Sequence, residues 1–498
     1  MAGGTKELAR DLFKGGTAGD AGAARGRQIA SNIAVQFGAR AITMSLAIVT
    51  VSLTARTLDR AGYGVWNGAS SYVALFGVLT DLGFSIAAMQ RMAAEPEREA
   101  EWLGALVGVR IAVSVAVFAL CAGSIPLLLG NADHTRLVAL VMAVTTLTSG
   151  GMAMLTVFQS RLRSGLVLSF TVLQSVLWLA AVAALAATHA SVIAFAVANT
   201  VVVAISGALQ VRLTARFARI AWRAGLPLWA PLVRRAVPLG IASVLITIYF
   251  QLDSVLLLEL AGPAEAGIYG AAYGFLGPLT FLPAAVMSSF FPVLSAVLRA
   301  DPARARRLVQ ACADLMGVVG LPILAGSIAL AGPLVHLIFG PAFARSAGVL
   351  PILMIAFVSI CFGSLAGFLA PLLELQWRLA LYSGIGAAMN VGLNLLLIPR
   401  YRVYGSAWAT VATEVLTMVL MLGTSLHALK LRLLPWKLLR TVLLAVAMTG
   451  LMILARPLGL IPAALAGVVL YGAGLFLLRI VQADELRSLR HEVEPVQS

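Results

Sequence analysis

Charge is what this chain has least of. Only 11% of its 498 residues are Asp, Glu, Lys or Arg, where a soluble domain carries about 25%. So few charges cannot cover a water-facing surface over a chain that is 60% hydrophobic, which excludes an ordinary soluble domain and makes lipid the main solvent. Cysteine is nearly absent. Cys121, Cys312 and Cys361 each fall in an apolar run and form no CxxC pair, so neither a disulfide framework nor a zinc site is indicated. His134, His189, His336, His427 and His491 are scattered; no metal constellation and no cofactor are expected. Residues 1–27 lack an apolar stretch long enough for a signal peptide and read as a basic, Gly/Ala-rich tail.

What is present, many times over, is the mostly apolar window of 18 or more residues. Fourteen spans are predicted, at 29–55, 64–90, 103–129, 137–160, 165–187, 190–211, 236–260, 266–297, 309–331, 347–373, 379–398, 404–428, 438–455 and 459–478. The fold class is therefore an all-α, polytopic membrane protein. The net charge of +15 would suggest nucleic acid on a soluble chain. Here most Lys and Arg fall on the side that also holds both termini, which marks that side as cytoplasmic and facing anionic lipid; no nucleic-acid partner is expected.

The longest of these basic segments, 212–235, divides six spans (28–211) from six (236–429). A further pair occupies 430–480, and 481–498 forms a second tail. Within the divider, Arg212, Arg216, Arg219 and Arg223 recur at helical spacing beside Phe217, Ile220 and Trp222. That pattern predicts an amphipathic helix on the inner membrane surface. The two halves also share a motif: Tyr63-Gly64 and Tyr269-Gly270 each open a span after a short polar turn, the pattern of repeated halves in secondary transporters.

Polar groups inside the membrane are expensive, and their default reading is functional. Asn32, Gln36 and Arg40 share one face of the first span. Asn67 and Asp81 share one on the second, and Arg110 lies in the third. At 1.5 Å per residue, Arg40, Asp81 and Arg110 lie roughly 12–16 Å from the inner surface and are expected to face one interior space. Asp253 sits in the outer half of span seven, with Tyr249 one turn before it. Asn390 and Asn394 align in span eleven; in span twelve Ser406, Thr410, Thr413 and Thr417 align, with Glu414 beside them. Interhelical hydrogen bonding is the competing reading for the Ser, Thr and Asn positions, and a purely structural Asp81–Arg110 pair stays open.

Four stretches resemble one family. "LNLLLIPRYRVYGSAWATVATE" (393–414), "TARTLDRAGYGVWNGASSY" (54–72), "DLGFSIAAMQRMA" (81–93) and "IYFQLDSVLLLELAGPAEAGIYGAAYGF" (248–275) resemble, in order, segments of the polysaccharide-repeat-unit flippases of the multidrug/oligosaccharidyl-lipid/polysaccharide (MOP) exporter superfamily. The resemblance implies two six-helix lobes around a central cavity plus two C-terminal helices, alternating access, and a bacterial inner membrane. It also implies a polyprenyl-diphosphate-linked oligosaccharide as cargo, with polymerase or export machinery as further partners. No fixed set of catalytic residues transfers from the family.

From burial and charge, Arg40 and Arg110 are expected to bind the diphosphate, since guanidinium suits phosphate oxygens. Gln36, Asn32, Asn67, Asn390 and Asn394 would meet sugar hydroxyls. Asp253, Asp81 and Glu414 are expected as cavity charges, Asp253 exchanging H+ or Na+. A lipid II flippase or a multidrug exporter is the alternative within the superfamily. A membrane polymerase or ligase is the alternative outside it, and the absence of a nucleophile–base pair in the sequence weighs against any enzyme.

Overall fold

The computed structural model describes residues 18–130, 133–160, 164–218, 220–478 and 480. The expected tails lie largely outside them, as do the side chains of Asn32 and Gln36. Among the described residues the fold is all-helical, with no strand.

The first helix, α1 (Ala18–Gly77), bends at Asp59, whose backbone is non-helical (φ 58°, ψ −170°). The Asp59 carboxylate accepts a hydrogen bond from Gly62 N at 2.9 Å, capping the helix that restarts there. The single stretch Ile42–Ala94 is thus two membrane passes folded back on each other. Thirteen helical stretches are long and apolar enough to cross a membrane, and with this first one counted twice they give the fourteen expected passes.

The second pass is itself interrupted at Leu82 (φ 38°) and Gly83 (φ 81°) and resumes as α2 (Phe84–Ala94). It is followed by α3 (Glu99–Leu128). The fourth pass, His134–Phe158, is a chain of short helical pieces, α4 (Asp133–Ala143), α5 (Ser149–Met152) and α6 (Thr156–Ser160), linked by 3-10 turns. The first half closes with α7 (Ser164–Ala187) and α8 (Val192–Thr214).

The divider departs from the expected amphipathic helix. Helix α8 ends at Thr214, and the next helical residues are the single turn α9 (Trp222–Gly225). Between them Ala221 N donates to Ala100 O at 3.0 Å, and a Cβ on Gly104 would stand 2.5 Å from Ala221 O. The linker backbone is tied flat against α3, which prevents the continuous helix that would align the arginines. Its apolar residues Phe217, Trp222 and Leu226 stay exposed.

The second half comprises α10 (Trp229–Ala261), α11 (Pro263–Leu279), α12 (Phe281–Ala300), α13 (Pro302–Phe339), α14 (Ser346–Leu372), α15 (Gln376–Tyr401) and α16 (Val403–Ala428). α11 and α12 together make one pass. The last pair, α17 (Pro435–Ala455) and α18 (Leu460–Leu477), packs on α13 through Leu330, Met448, Met452 and Tyr471. Leu127 and Leu477 are more than 80% exposed, as lipid-facing residues are. Because the passes alternate, the turns at Asp59, Gly262, Gly340 and Arg402 share one end of the bundle, here called distal. The first and last helices open and close at the other, terminal end.

Candidate functional site

Span seven needs only apolar residues to cross a membrane, yet it carries Asp253, which is 1% exposed. Three neutral side chains hold this carboxylate. Thr410 of α16 donates to Oδ2 at 2.7 Å and Tyr269 of α11 to the same oxygen at 2.8 Å. Asn394 of α15 donates to Oδ1 at 2.7 Å. Helical periodicity explains the convergence: Asn390 lies one turn before Asn394, and Ser406 one turn before Thr410. Asn394 Nδ2 also meets the Asn390 carbonyl at 2.9 Å and its Oδ1 at 3.2 Å. The Tyr269 ring is steadied by stacking on Tyr273, centroids 5.5 Å apart.

Around this knot Asn394 Oδ1 and Ser406 Oγ are buried without a hydrogen-bond partner, while the Tyr249 hydroxyl faces Glu414 and the Asn390 amide faces Asp253. Glu414 is itself buried. Among the described residues, neither Asp253 nor Glu414 forms an ion pair with Lys or Arg. Buried carboxylates are costly when charged and without a cationic partner, and a proton or another cation beside them would relieve that cost. Its oxygen-rich donor set suits a proton or a hard monovalent cation. Among the described residues, no group of three or more His, Cys, Asp and Glu gathers as a metal site.

A second network lies in the first half. Arg110 donates to Ser149 Oγ through Nε (3.1 Å) and Nη2 (2.8 Å), and to Ser85 Oγ through Nη1 (3.1 Å). Asp81 faces the same Nη1 at 3.7 Å and accepts from Ser85 N and Oγ at 3.0 and 2.9 Å. The break at Leu82–Gly83 is what frees the Ser85 N–H for Asp81 to cap. Asp81 and Arg110 thus do meet, but Arg40 is elsewhere. It is exposed, with its guanidinium 5.2 Å over the Phe281 ring of the second half. Arg40 makes no contact with either of them.

The halves meet along a close seam at the distal end. A Cβ on Gly64 would stand 1.8 Å from Pro263 O, and one on Gly267 2.0 Å from Arg60 O. Asn67 fits against Gly270 and donates to Ser254 Oγ at 3.1 Å, one residue from Asp253. Arg56 reaches across to the carbonyls ending α13, donating to Ile338 O at 3.1 Å and also to Leu337 O. Glu265 binds Arg345 at 2.6 Å, with Arg402 at 3.9 Å.

Of the residues singled out from sequence, the structure gathers Asp253, Asn390 and Asn394 directly, with Glu414 at the rim and Asn67 on the adjoining seam. Tyr269, Ser254 and Ser149 were missed as site residues. Tyr269 stood out only as a repeat marker, Ser254 is overshadowed by the neighbouring Asp253, and Ser149 is one of four hydroxyls between 145 and 149 with nothing to single it out.

Known proteins share the fold that carries these contacts. The polysaccharide biosynthesis protein family matches residues 29–298, more than half of the chain. The probable flippase AglR of Haloferax volcanii is 28% identical over 176 residues, 34% of this chain and 37% of AglR, so the match spans well under half of that relative. Among solved structures, the lipid II flippase MurJ in an inward closed conformation superposes with a TM-score of 0.72 at 12% identity, covering 89% of this chain and 98% of MurJ. An inward-facing MATE multidrug resistance transporter gives 0.62 at 12% identity, over 78% of this chain and 94% of its own. A MOP superfamily transporter from Pyrococcus furiosus gives 0.57 at 14% identity, over 80% and 95%. At such identities these likenesses establish the fold. The chain belongs to the polysaccharide biosynthesis protein family, as a multi-pass membrane protein with the fold of those MOP superfamily structures.

Proposed function

We propose that the protein flips a polyprenyl-diphosphate-linked oligosaccharide from the inner to the outer leaflet of a bacterial inner membrane, its halves giving alternating access and its termini lying in the cytoplasm. The family supports polysaccharide as the pathway. The observation that carries coupling is Asp253, buried, ringed by neutral donors and without a cationic partner. A proton or Na+ arriving there would complete the charge balance and use the unpartnered Asn394 and Ser406 oxygens. Asn67–Ser254 lies between that site and the distal seam, so occupancy at Asp253 has a short path to the closure between halves.

The diphosphate role falls chiefly to Arg40. It is exposed, and its Phe281 contact leaves guanidinium N–H groups available for phosphate oxygens. Arg110 would first have to leave Ser85, Ser149 and Asp81, so its part in headgroup binding belongs to another conformation. Polymerase or export machinery would take the product at the outer face.

The test is reconstitution. Vesicles holding the protein and a fluorescent polyprenyl-diphosphate-linked glycan should show accelerated transbilayer movement that responds to an imposed H+ or Na+ gradient. Movement no faster than in protein-free vesicles would overturn the reading.

A further inference from the structure

The first half holds a cavity, with polar side chains in an otherwise apolar wall, that none of the contacts above uses. It lies in the cleft between α7 and α8, measures about 310 Å³, and is lined by Thr171, Gln174, Ser175, Trp178 and Asn199 with Val202 and Val203. That size matches the lower range of ligand pockets, about 300–1,000 Å³. The residues fall at helical spacing on facing sides of the two helices, so the polar lining is a continuous wall of each. Gln174 lies roughly 15 Å along α7 from Ser164, and Asn199 roughly 10 Å along α8 from Val192. The cavity is therefore at membrane depth.

Two observations say that it is made for a ligand. First, the Gln174 and Asn199 amides make no hydrogen bond among the described residues, where Ser175 and Thr171 each satisfy themselves on their own helix. An amide at membrane depth needs a partner. Second, Trp178 stands in the same wall as these amides, so an aromatic ring and unpartnered amides share one cavity.

The lining also selects the chemistry. No charged side chain contributes to it, which disfavours the diphosphate, and the two amides set it apart from a purely apolar crevice. Trp178 offers one ring face, because Trp66 is stacked on it at 5.6 Å and 15°. An aromatic wall opposite neutral amides suits a sugar ring, which has apolar C–H faces and hydroxyl edges.

We propose that the α7–α8 cleft is a glycan subsite, in which Trp178 stacks a sugar ring and Gln174 and Asn199 bind its hydroxyls. This deepens the transport reading and rests on it. The test measures binding to the full-length protein in nanodiscs. The probes are bare polyprenyl diphosphate and four polyprenyl diphosphates carrying one glucose, galactose, mannose or N-acetylglucosamine. At least one sugar-bearing probe should bind more tightly than the bare carrier. Gln174→Ala with Asn199→Ala should weaken that probe roughly tenfold, the loss of two ordinary hydrogen bonds, and leave the bare carrier unchanged. Trp178→Phe, which keeps a stacking ring, should retain most of the preference, and Trp178→Ala should lose it. A wild-type protein that binds no sugar-bearing probe better than the bare carrier overturns the subsite, as do variants that weaken both probes equally or neither. If wild-type vesicles move the sugar-bearing carrier while the variants keep its preference, only the subsite falls. If they move none, the transport reading falls with it.

Discussion

Asn394 holds Asp253 with one end of its amide and leaves the other end empty: Nδ2 lies 2.7 Å from Oδ1 of Asp253, and Asn394 Oδ1 has no partner. An amide so placed fixes the carboxylate while keeping an oxygen free for an incoming cation. Asp253→Asn removes the charge and keeps the shape. It should leave folding intact and abolish the response of transport to the effective H+ or Na+ gradient in reconstituted vesicles. Unchanged gradient dependence would remove Asp253 from coupling. Thr410→Val, which deletes one donor to Oδ2, should weaken the same response without eliminating it.

Asp81 and Arg110 make a different prediction, read as stability. Arg110 is buried, whereas the Asp81 side chain is 41% exposed. Asp81→Asn leaves the guanidinium without its counter-charge. For a fully buried pair the cost of such a change is about 3–5 kcal/mol; solvent at Asp81 reduces it to about 1–3 kcal/mol. The apparent Tm of the purified protein should fall, and Asp81→Asn with Arg110→Met should recover part of the loss. A single variant as stable as wild type would sink the idea.

The distal seam should be sensitive to a single carbon. Gly64 and Gly267 leave no room for a side chain, with backbone oxygens 1.8 and 2.0 Å from where Cβ would lie. Gly64→Ala should hold the halves apart. A cysteine placed at Asn67 should then react faster with a membrane-impermeant thiol reagent from the distal face than it does with Gly64 intact. The native cysteines are all buried, which keeps the background low.

Arg56 should act as a latch at the same end. Its guanidinium meets the carbonyls at the negative end of α13. Arg56→Gln should raise distal labelling and slow transport severalfold, and Arg56→Lys should restore it only in part because a point charge cannot span several carbonyls. Equal labelling in all three proteins would refute the latch.

At the terminal end, Glu95 lies between the second and third passes. The Trp102 indole N–H donates to it at 3.1 Å, Arg91 at 2.7 Å and Arg98 at 3.1 Å. Chiefly through the indole hydrogen bond, its pKa is held below the usual carboxylate value. A group lowered in the folded state stabilises above its unfolded pKa, about 4.3, and that contribution is lost as pH falls through the folded value. The Tm difference between wild type and Glu95→Gln should therefore be constant near neutrality and shrink below about pH 4.3. A difference that grows on acidification would reverse the assignment.

The passes were legible because lipid demands long apolar helices, a signal that survives without any knowledge of packing. Asp253, Asn390 and Asn394 were legible for the same reason: a charge or amide in an apolar run has few explanations. Tyr269 was not, because a tyrosine is at home in a membrane helix and only the fold brings its hydroxyl to Asp253. Arg40 does not join the Asp81–Arg110 pair, because depth fixes a residue's height and leaves its direction around the bundle open. The linker failed because a repeat of arginines reports spacing, while the backbone tie from Ala221 to Ala100 decides whether a helix can form.

One helix belongs to both halves. Near its start, Trp229 of α10 sits against Gly108 of α3, and Gly240 lies against Leu82, so close that a Cβ would stand 2.4 Å from the carbonyl. Near its far end, Asp253 is bound to α11, α15 and α16. If the halves swing apart, α10 is clamped to opposite sides of a moving joint and must flex between its anchorages. Pro238 and Gly240 lie in that stretch, and proline removes an intrahelical hydrogen bond where the curvature would concentrate. α10 is then a bending rod whose curvature would report the position of the halves, and a carboxylate sits just beyond the flexing stretch.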